Sequence, residues 1–356
     1  MSILLAILAL MALVVAHELG HFLAARAYRI HITEFGIGIP PRLAQITRGG
    51  IRYSLNLLPI GGFVNFADPQ EEQDGEGNRD PERFFPRRPV RERAVVLFAG
   101  VGANFLLAIG LLSFLGTPFY QPMITGVVKN SPAAAAGLLP GDRITVIDGR
   151  KVALSGDPQQ ILTLVHNLID RSRQNPVRLV VEKGGRSREV SVLRGYDWND
   201  AGLGSGPKIG VLLGIHTVFQ HRGGLVGSVG AALTQSYRFA GAVLGYIGKM
   251  VSGHSQFRQI GGPVQVVGVT ASAVRTGWQF FLYVVALISL NLGIMNLLPI
   301  PGLDGGQLLF LGAEALRGAP LDQRRLGIIN TLGILLVFGL VLLLTVRDIL
   351  QYLRAS

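Results

Sequence analysis

The segment from Ile3 to Ala25 is apolar, and its only ionisable side chains are His17, Glu18 and His21. A helix of this length covers the roughly 30 Å of hydrocarbon in a bilayer. Ionisable groups inside such a span are costly and mark a functional site by default. No basic residue precedes the apolar stretch, so we interpret the segment as an uncleaved first span rather than a signal peptide.

The three ionisable residues form the motif His17-Glu18-Leu19-Gly20-His21. Helical residues four apart lie on one face, so both imidazoles can bind one ion. Glu18 lies about 100° around the helix, where its carboxylate can take a proton from a water molecule. This spacing is typical of zinc hydrolases and predicts a Zn²⁺ site. The alternative is a pair of helix histidines with a salt-bridging glutamate.

The composition indicates a membrane protein, because 49% of the 356 residues are hydrophobic and only 15% are charged. The net charge of +11 fits membrane topology better than nucleic-acid binding, since no basic patch is interleaved with aromatic residues. The chain has no cysteine. Any metal site must therefore use His, Asp and Glu.

Three further spans are predicted at Ala94–Leu115, Trp278 to about Ile300, and Gly327–Val346. Residues 26–93 carry 11 Lys and Arg, and residues 302–326 carry three more. By the positive-inside rule both segments are cytoplasmic, so both termini and residues 116–277 lie outside the cytoplasm. We expect a multi-pass protein of the cell inner (plasma) membrane. Within the first cytoplasmic segment, the acidic and proline-containing stretch Asp68–Pro89 favours a mobile loop.

The outer segment contains four short strand patterns and one helical pattern at Asp157–Arg173. The run from Asn130 to Ile144 resembles the corresponding stretch of PDZ domains in bacterial envelope proteases. We therefore predict a PDZ-like α+β domain at residues 117–215, with a simple β spacer as the alternative. Residues 216–275 are predicted to form an amphipathic region on the membrane surface.

A zinc site needs a third protein ligand, and Asp304 is the candidate. His17 lies about 21 Å inward from the outer end of its span. Asp304 follows the third span at its cytoplasmic end, so topology brings the two groups to the same depth. Glu314 is the rival carboxylate, but we expect it to be a solvated residue of an amphipathic helix.

The first-span motif, the segment Asn296-Leu-Leu-Pro-Ile-Pro-Gly-Leu-Asp304-Gly and the PDZ-like insert together resemble the site-2 protease family of intramembrane zinc metalloproteases. The resemblance covers nearly the whole chain. It implies zinc ligands at His17, His21 and Asp304, and a general base at Glu18. It also implies that Asn296 and Asn291 hold substrate, although asparagines in spans also bond helices together. The chain departs from the family pattern at Val101, where proline is usual, and at Gln307, where histidine is frequent.

The resemblance further implies that the protein cuts transmembrane segments of single-span membrane proteins near the cytoplasmic face of the bilayer. Substrates of this kind include membrane-bound anti-sigma factors and remnant signal peptides. A second hypothesis is a PDZ-bearing membrane scaffold or chaperone with a structural metal site. Glu18 separates the two, because a structural site has no use for a general base.

Residues 1–116 thus hold two spans and a cytoplasmic β-hairpin, and residues 276–356 hold the other two spans. The hairpin is predicted from Ile51–Leu58 and Gly62–Phe66, joined by a turn at residues 59–62, and we expect it to enter the membrane. Either strand could bind an unwound substrate through its free edge, and Ile51–Leu58 would contribute Asn56, Leu57 and Leu58. The alternative is a hairpin that only fills the space between spans.

Overall fold

The computed structural model describes residues 1–67, 80–152, 158–172, 175–194, 209–221, 223–253 and 261–355. The chain forms two compact units. The first combines Met1–Leu115 with Gly223–Ser356, and the second is the insert Gly116–Arg222. The first unit contains the helices α1 (Ser2–Ala27), α2 (Val90–Leu115), α5 (Gly224–Val251), α6 (Pro263–Thr276), α7 (Trp278–Leu297), α8 (Asp304–Arg317) and α9 (Gln323–Ala355), and the strands β1 (Ile32–Arg48) and β2 (Ile51–Phe66).

Four of these helices, α1, α2, α7 and α9, are long and apolar enough to cross a membrane. They confirm the four predicted spans. The fourth candidate span, Arg324–Gln351, is longer than predicted because the helix continues past its apolar stretch into the charged residues on both sides. The helix α5 does not meet the criteria for a span, and together with α6 it fills the part of the chain between the insert and α7.

Close contact between α1 and α2 depends on glycine. A Cβ atom at Gly20 would lie 2.2 Å from the carbonyl oxygen of Ala99. Small residues allow two helix backbones to approach closely. In a membrane no hydrophobic effect drives helices together, so this close packing stabilises their association. The helix α2 also packs against α7 and α8, so it lies at the centre of the first unit.

The predicted hairpin is part of a larger sheet. Phe35 in β1 lies opposite both Tyr53 and Val64, which belong to the two halves of β2. The two halves therefore do not pair with each other as predicted, because the first half of β1 lies between them. The strand β1 was not predicted, because Ile32–Arg48 contains two glycines and two prolines, which are typical of loops.

The sheet is held against α1 by a cluster of buried apolar residues. Phe22 and Ala25 from α1 meet Ile30, Ile32, Phe35 and, from α2, Val96. Burying these side chains explains why β1 joins the sheet despite its loop-like composition. In residues 80–89 the chain makes two short 3₁₀ turns, Pro81–Arg83 and Phe85–Arg87, while residues 68–79 of the predicted loop lie outside the described part.

The second unit contains β3 (Thr117–Val127), α3 (Pro132–Ala135), β4 (Arg143–Ile147), β5 (Arg150–Lys151), α4 (Pro158–Asp170), β6 (Val177–Lys183), β7 (Arg186–Val192) and β8 (Val211–Gln220). The sheet order is β7-β6-β4-β3-β8, with β5 paired to β4. The predicted strand Arg143–Ile147 matches β4. The last strand, β8, pairs with the first, β3, along its whole length. This pairing brings Thr117, at the beginning of the insert, opposite Gln220, at its end.

Candidate metal centre

The first two groups of the site come from the same face of α1. His17 and His21 are both buried, and their Nε2 atoms are 3.1 Å apart. The four-residue spacing stacks the two rings on one face, as expected from helix geometry. The Nδ1–H of His21 donates to the carbonyl oxygen of Val96 at 2.8 Å. In a neutral ring this leaves Nε2 without a hydrogen, so its lone pair can bind a metal ion.

The third group is Asp304, which the structure places in the first turn of α8 rather than in an isolated turn. Its Oδ2 atom lies 3.2 Å from Nε2 of His17 and 3.4 Å from Nε2 of His21. The loop between α7 and α8 folds tightly enough that a Cβ at Gly305 would lie 2.3 Å from the carbonyl oxygens of Leu297 and Leu298. Glycine after Asp304 is therefore needed for this loop to close.

The electrostatics favour an ionised carboxylate at this position. Burial disfavours the charged form of Asp304, but its contacts with His17 and His21 and the attraction of their charge outweigh burial and lower the pKa of the carboxyl. A carboxylate is the form that binds a metal ion.

The three atoms fit a zinc ion. Bonds of about 2.0–2.1 Å at tetrahedral angles place two ligand atoms about 3.3 Å apart. The three separations here are 3.1, 3.2 and 3.4 Å. Two imidazoles and one carboxylate are also the donor types that zinc prefers in catalytic sites, where a fourth position stays open. Among the described residues, these three side chains form a group able to hold a metal ion.

Glu18 lies between this cluster and the sheet. A Cβ at Gly62 would lie 3.4 Å from Cγ of Glu18, and the carboxylate is hydrogen-bonded to the backbone of Val64. The carboxylate also interacts electrostatically with both histidines and with Asp304. Glu18 is therefore close enough to the cluster to exchange a proton with a molecule held there.

The two asparagines of α7 differ in position. Nδ2 of Asn296 lies 3.4 Å from Nε2 of His17, at the edge of the cluster. Asn291 is exposed and lies five residues earlier, about 140° around the helix from Asn296. Helix geometry thus directs the two side chains to different faces of α7.

The residues of the strand predicted to bind substrate differ in exposure and pairing. Asn56 is buried and donates to the carbonyl oxygens of Ile37 and Gly38, whereas Leu57 and Leu58 are about half exposed. Residues 52–55 pair with β1 on both sides, as when Tyr53 lies opposite both Phe35 and Ile46. The expected free edge is therefore absent there in the described sheet. The segment Gly62–Phe66 pairs with β1 on one side and is the outer strand beside Glu18.

Two polar contacts were not predicted from the sequence. Nδ2 of Asn104 in α2 lies 3.1 Å from Nδ1 of His17. The prediction that Glu314 is solvated is wrong, because it is buried and forms an ion pair with Arg93 at 2.6 Å. Both contacts join residues far apart in the chain, so local periodicity carries no signal for them. The sequence signal for the ion pair was the charge of Arg93 close to the start of an apolar span, where a charged residue usually needs a partner.

Comparison with known proteins identifies relatives along nearly the whole chain. The profile described as Peptidase family M50 matches residues 5–340. Zinc metalloprotease RasP from Geobacillus kaustophilus is 29% identical over 96% of this chain and 96% of its own length. Membrane metalloprotease ARASP, chloroplastic, from Arabidopsis thaliana is 32% identical over 98% of this chain and 79% of its own length.

Proposed function

Because the chain belongs to peptidase family M50, we propose that it cleaves the transmembrane segments of single-span membrane proteins. Family membership makes it a zinc metalloprotease, and its four candidate spans make it a multi-pass membrane protein. The observation that carries the proposal is the position of the cluster on α1. His17 lies ten residues before the end of a candidate span, about 15 Å along the helix axis. A hydrolytic centre at this depth acts on peptide bonds that lie within the bilayer.

The chain's own groups have separate tasks in the proposed reaction. His17, His21 and Asp304 would hold the zinc ion, which when bound would supply Lewis-acid activation of a water molecule and of the scissile carbonyl. Glu18 accepts a proton from the attacking water and returns it to the nitrogen of the leaving amine. Asn296, at the edge of the cluster, donates its amide N–H to the oxygen on which negative charge develops.

The substrate must be unwound before attack, because a helix hides its carbonyl groups in its own hydrogen bonds. We place the extended substrate along the outer strand Gly62–Phe66, next to Glu18. Backbone pairing at a strand edge reads few side chains, so many transmembrane sequences would be accepted. The competing explanation is a sheet that only fills the space between spans.

Topology defines which proteins reach the site. By the positive-inside rule, the basic residues of segments 26–93 and 302–326 support a centre near the cytoplasmic face, with both termini and the insert outside the cytoplasm. We infer that the insert is a PDZ-like domain that excludes proteins with bulky outer domains. Suitable substrates are then membrane proteins already trimmed outside, such as anti-sigma factors in regulated intramembrane proteolysis, or remnant signal peptides.

The proposal is tested by mapping the cleaved bond. Purified protein and a single-span substrate are reconstituted in vesicles, and the fragments are identified by mass spectrometry. We expect a cut within the apolar segment of the substrate, and no such fragment with Glu18→Gln. A cut only in the flanking polar segments would contradict intramembrane cleavage. Binding of substrate without any cleavage would favour the scaffold or chaperone alternative.

A further inference from the structure

One face of α2 contacts both histidines of the metal centre. Val96, Gly100 and Asn104 are spaced four residues apart and so lie on the same side of the helix. The carbonyl oxygen of Val96 accepts the Nδ1 hydrogen of His21 at 2.8 Å. A Cβ at Gly100 would lie 2.3 Å from Nε2 of His21, so the ring rests directly on the backbone of α2. Asn104 makes the matching contact with His17, at 3.1 Å from Nδ1.

The chemistry of a neutral imidazole determines what Nδ1 of His17 needs. The ring carries one N–H, and a metal ion at Nε2 requires that hydrogen to be on Nδ1. An Nδ1–H buried among helices needs an acceptor, and His21 has one in the carbonyl oxygen of Val96. For His17 the neighbouring group is the amide of Asn104. A half-turn of that amide exchanges its nitrogen and oxygen without changing its shape, and the orientation with Oδ1 toward His17 supplies the acceptor.

The surroundings of Asn104 fix its position. The residue is fully buried, and its backbone carbonyl oxygen accepts a hydrogen bond from Oγ of Ser289 in α7 at 2.9 Å. The same helix α7 carries Asn296, which lies at the other side of His17. The backbone of Asn104 is therefore bonded to α7, and its fully buried side chain lies against His17 of α1.

We propose that Asn104 is a positioning residue of the metal centre, whose side-chain oxygen accepts the Nδ1 hydrogen of His17 and so directs Nε2 toward the zinc ion. Groups that bond the outer nitrogen of a metal-binding histidine set its tautomer and ring orientation, and their loss typically lowers metal affinity about 10- to 100-fold. This inference rests on the metal site proposed above. It does not depend on the substrate or on where the substrate is cut.

The test compares two substitutions of Asn104 in the full-length protein. Asn104→Asp keeps an acceptor oxygen at the same place, whereas Asn104→Leu keeps the approximate volume without any acceptor. Zinc affinity is measured by competition with a chelator, in detergent and without substrate. The visible absorption of the cobalt-substituted protein reports the geometry of the ligands. Thermal unfolding of the metal-free proteins shows whether each variant is folded.

We expect Asn104→Leu to lose about 10- to 100-fold in zinc affinity and to change the cobalt spectrum, and Asn104→Asp to stay near the original values. If the leucine variant does not fold, the aspartate variant still decides the question. Loss of zinc affinity in folded Asn104→Asp would overturn the acceptor role, as would unchanged affinity in Asn104→Leu. An unsubstituted protein that binds no zinc would instead refute the metal site itself.

Discussion

Gly100 and Gly102 lie two residues apart in α2, on nearly opposite sides of the helix, and so face different surroundings. The position of a Cβ at Gly100 overlaps the ring of His21, whereas a Cβ at Gly102 would have no atom within 4 Å outside its own helix. The histidine ring can be accommodated only because residue 100 has no side chain. The metal centre therefore depends on an absent side chain as well as on its ligands, and a motif search that looks only for ligand residues misses this requirement.

We predict that Gly100→Ala displaces His21 and lowers zinc content and cleavage about fivefold or more, because overpacking costs about 1–3 kcal/mol and acts directly on a ligand. Gly102→Ala is the matched control. It adds the same methyl group to the same helix and should leave both quantities unchanged. Zinc is measured by elemental analysis and cleavage with a reconstituted single-span substrate. Equal behaviour of the two variants would contradict the packing argument.

The elements that could be predicted from the sequence are those with a strong local pattern. The four spans follow from long apolar runs, and β4 follows from alternation between glycine and proline turns. The strand β1 was not predicted, because its two glycines and two prolines give a loop-like local signal and burial against α1 decides its structure. The meeting of His17 with Asp304 could be anticipated through topology, since both positions were assigned to the same depth of the membrane, and through the resemblance to the site-2 protease family.

At the level of elements, the ion pair between Arg93 and Glu314 joins the first turn of α2 to the third turn of α8, the helix that begins at Asp304. Removing one partner leaves a buried charge and costs about 3–5 kcal/mol. We predict that Arg93→Met lowers both the unfolding temperature and the zinc content. The double substitution Arg93→Met with Glu314→Leu should recover most of the stability, because it leaves no unpaired charge.

The exposed pair Arg325 and Asp322 supplies the control for this experiment. Asp322→Asn should change stability by less than about 1 kcal/mol, as is usual for solvated ion pairs. Unfolding is followed by circular dichroism in detergent. A double variant no more stable than Arg93→Met alone would show that packing of the two side chains, rather than pairing of their charges, holds α8 in place.

The outer strand Gly62–Phe66 gives a second prediction at this scale. Proline at Val64 removes the backbone N–H that contacts Glu18 in the free protein and that an extended substrate would take over as its own partner. We predict that Val64→Pro impairs cleavage and leaves zinc bound. Leu43→Pro, in an exposed and irregular part of β1, should retain activity. Full activity of Val64→Pro would mean that this strand does not hold substrate.

For the whole molecule, the insert can be removed at a defined place. Thr117 and Gln220 lie opposite each other at the two ends of the insert, so a short linker can join residues 116 and 221 without distorting the first unit. The sequence indicated four strands of this unit but not β8, which depends on pairing with the distant strand β3. Pairing over such a distance has no local pattern.

We predict that a protein lacking residues 117–220 still cuts a substrate whose outer domain has been trimmed, and cuts untrimmed substrates more often than the complete protein does. The physical reason is that the insert is proposed to act as a steric filter outside the cytoplasm. Both substrates are compared in the same vesicles, with zinc content as the control for folding. Loss of cleavage of the trimmed substrate in a folded, zinc-loaded variant would contradict the filter.

Three residues are proposed to bind the metal ion and a fourth to transfer the proton, so their substitution should affect metal content and proteolysis differently. Both are measured on the same preparations of Glu18→Gln, His17→Ala, His21→Ala and Asp304→Ala. We predict that Glu18→Gln keeps its zinc and loses cleavage, whereas the other three lose both. Cleavage of a transmembrane substrate by zinc-loaded Glu18→Gln at the original rate would contradict the proposed mechanism.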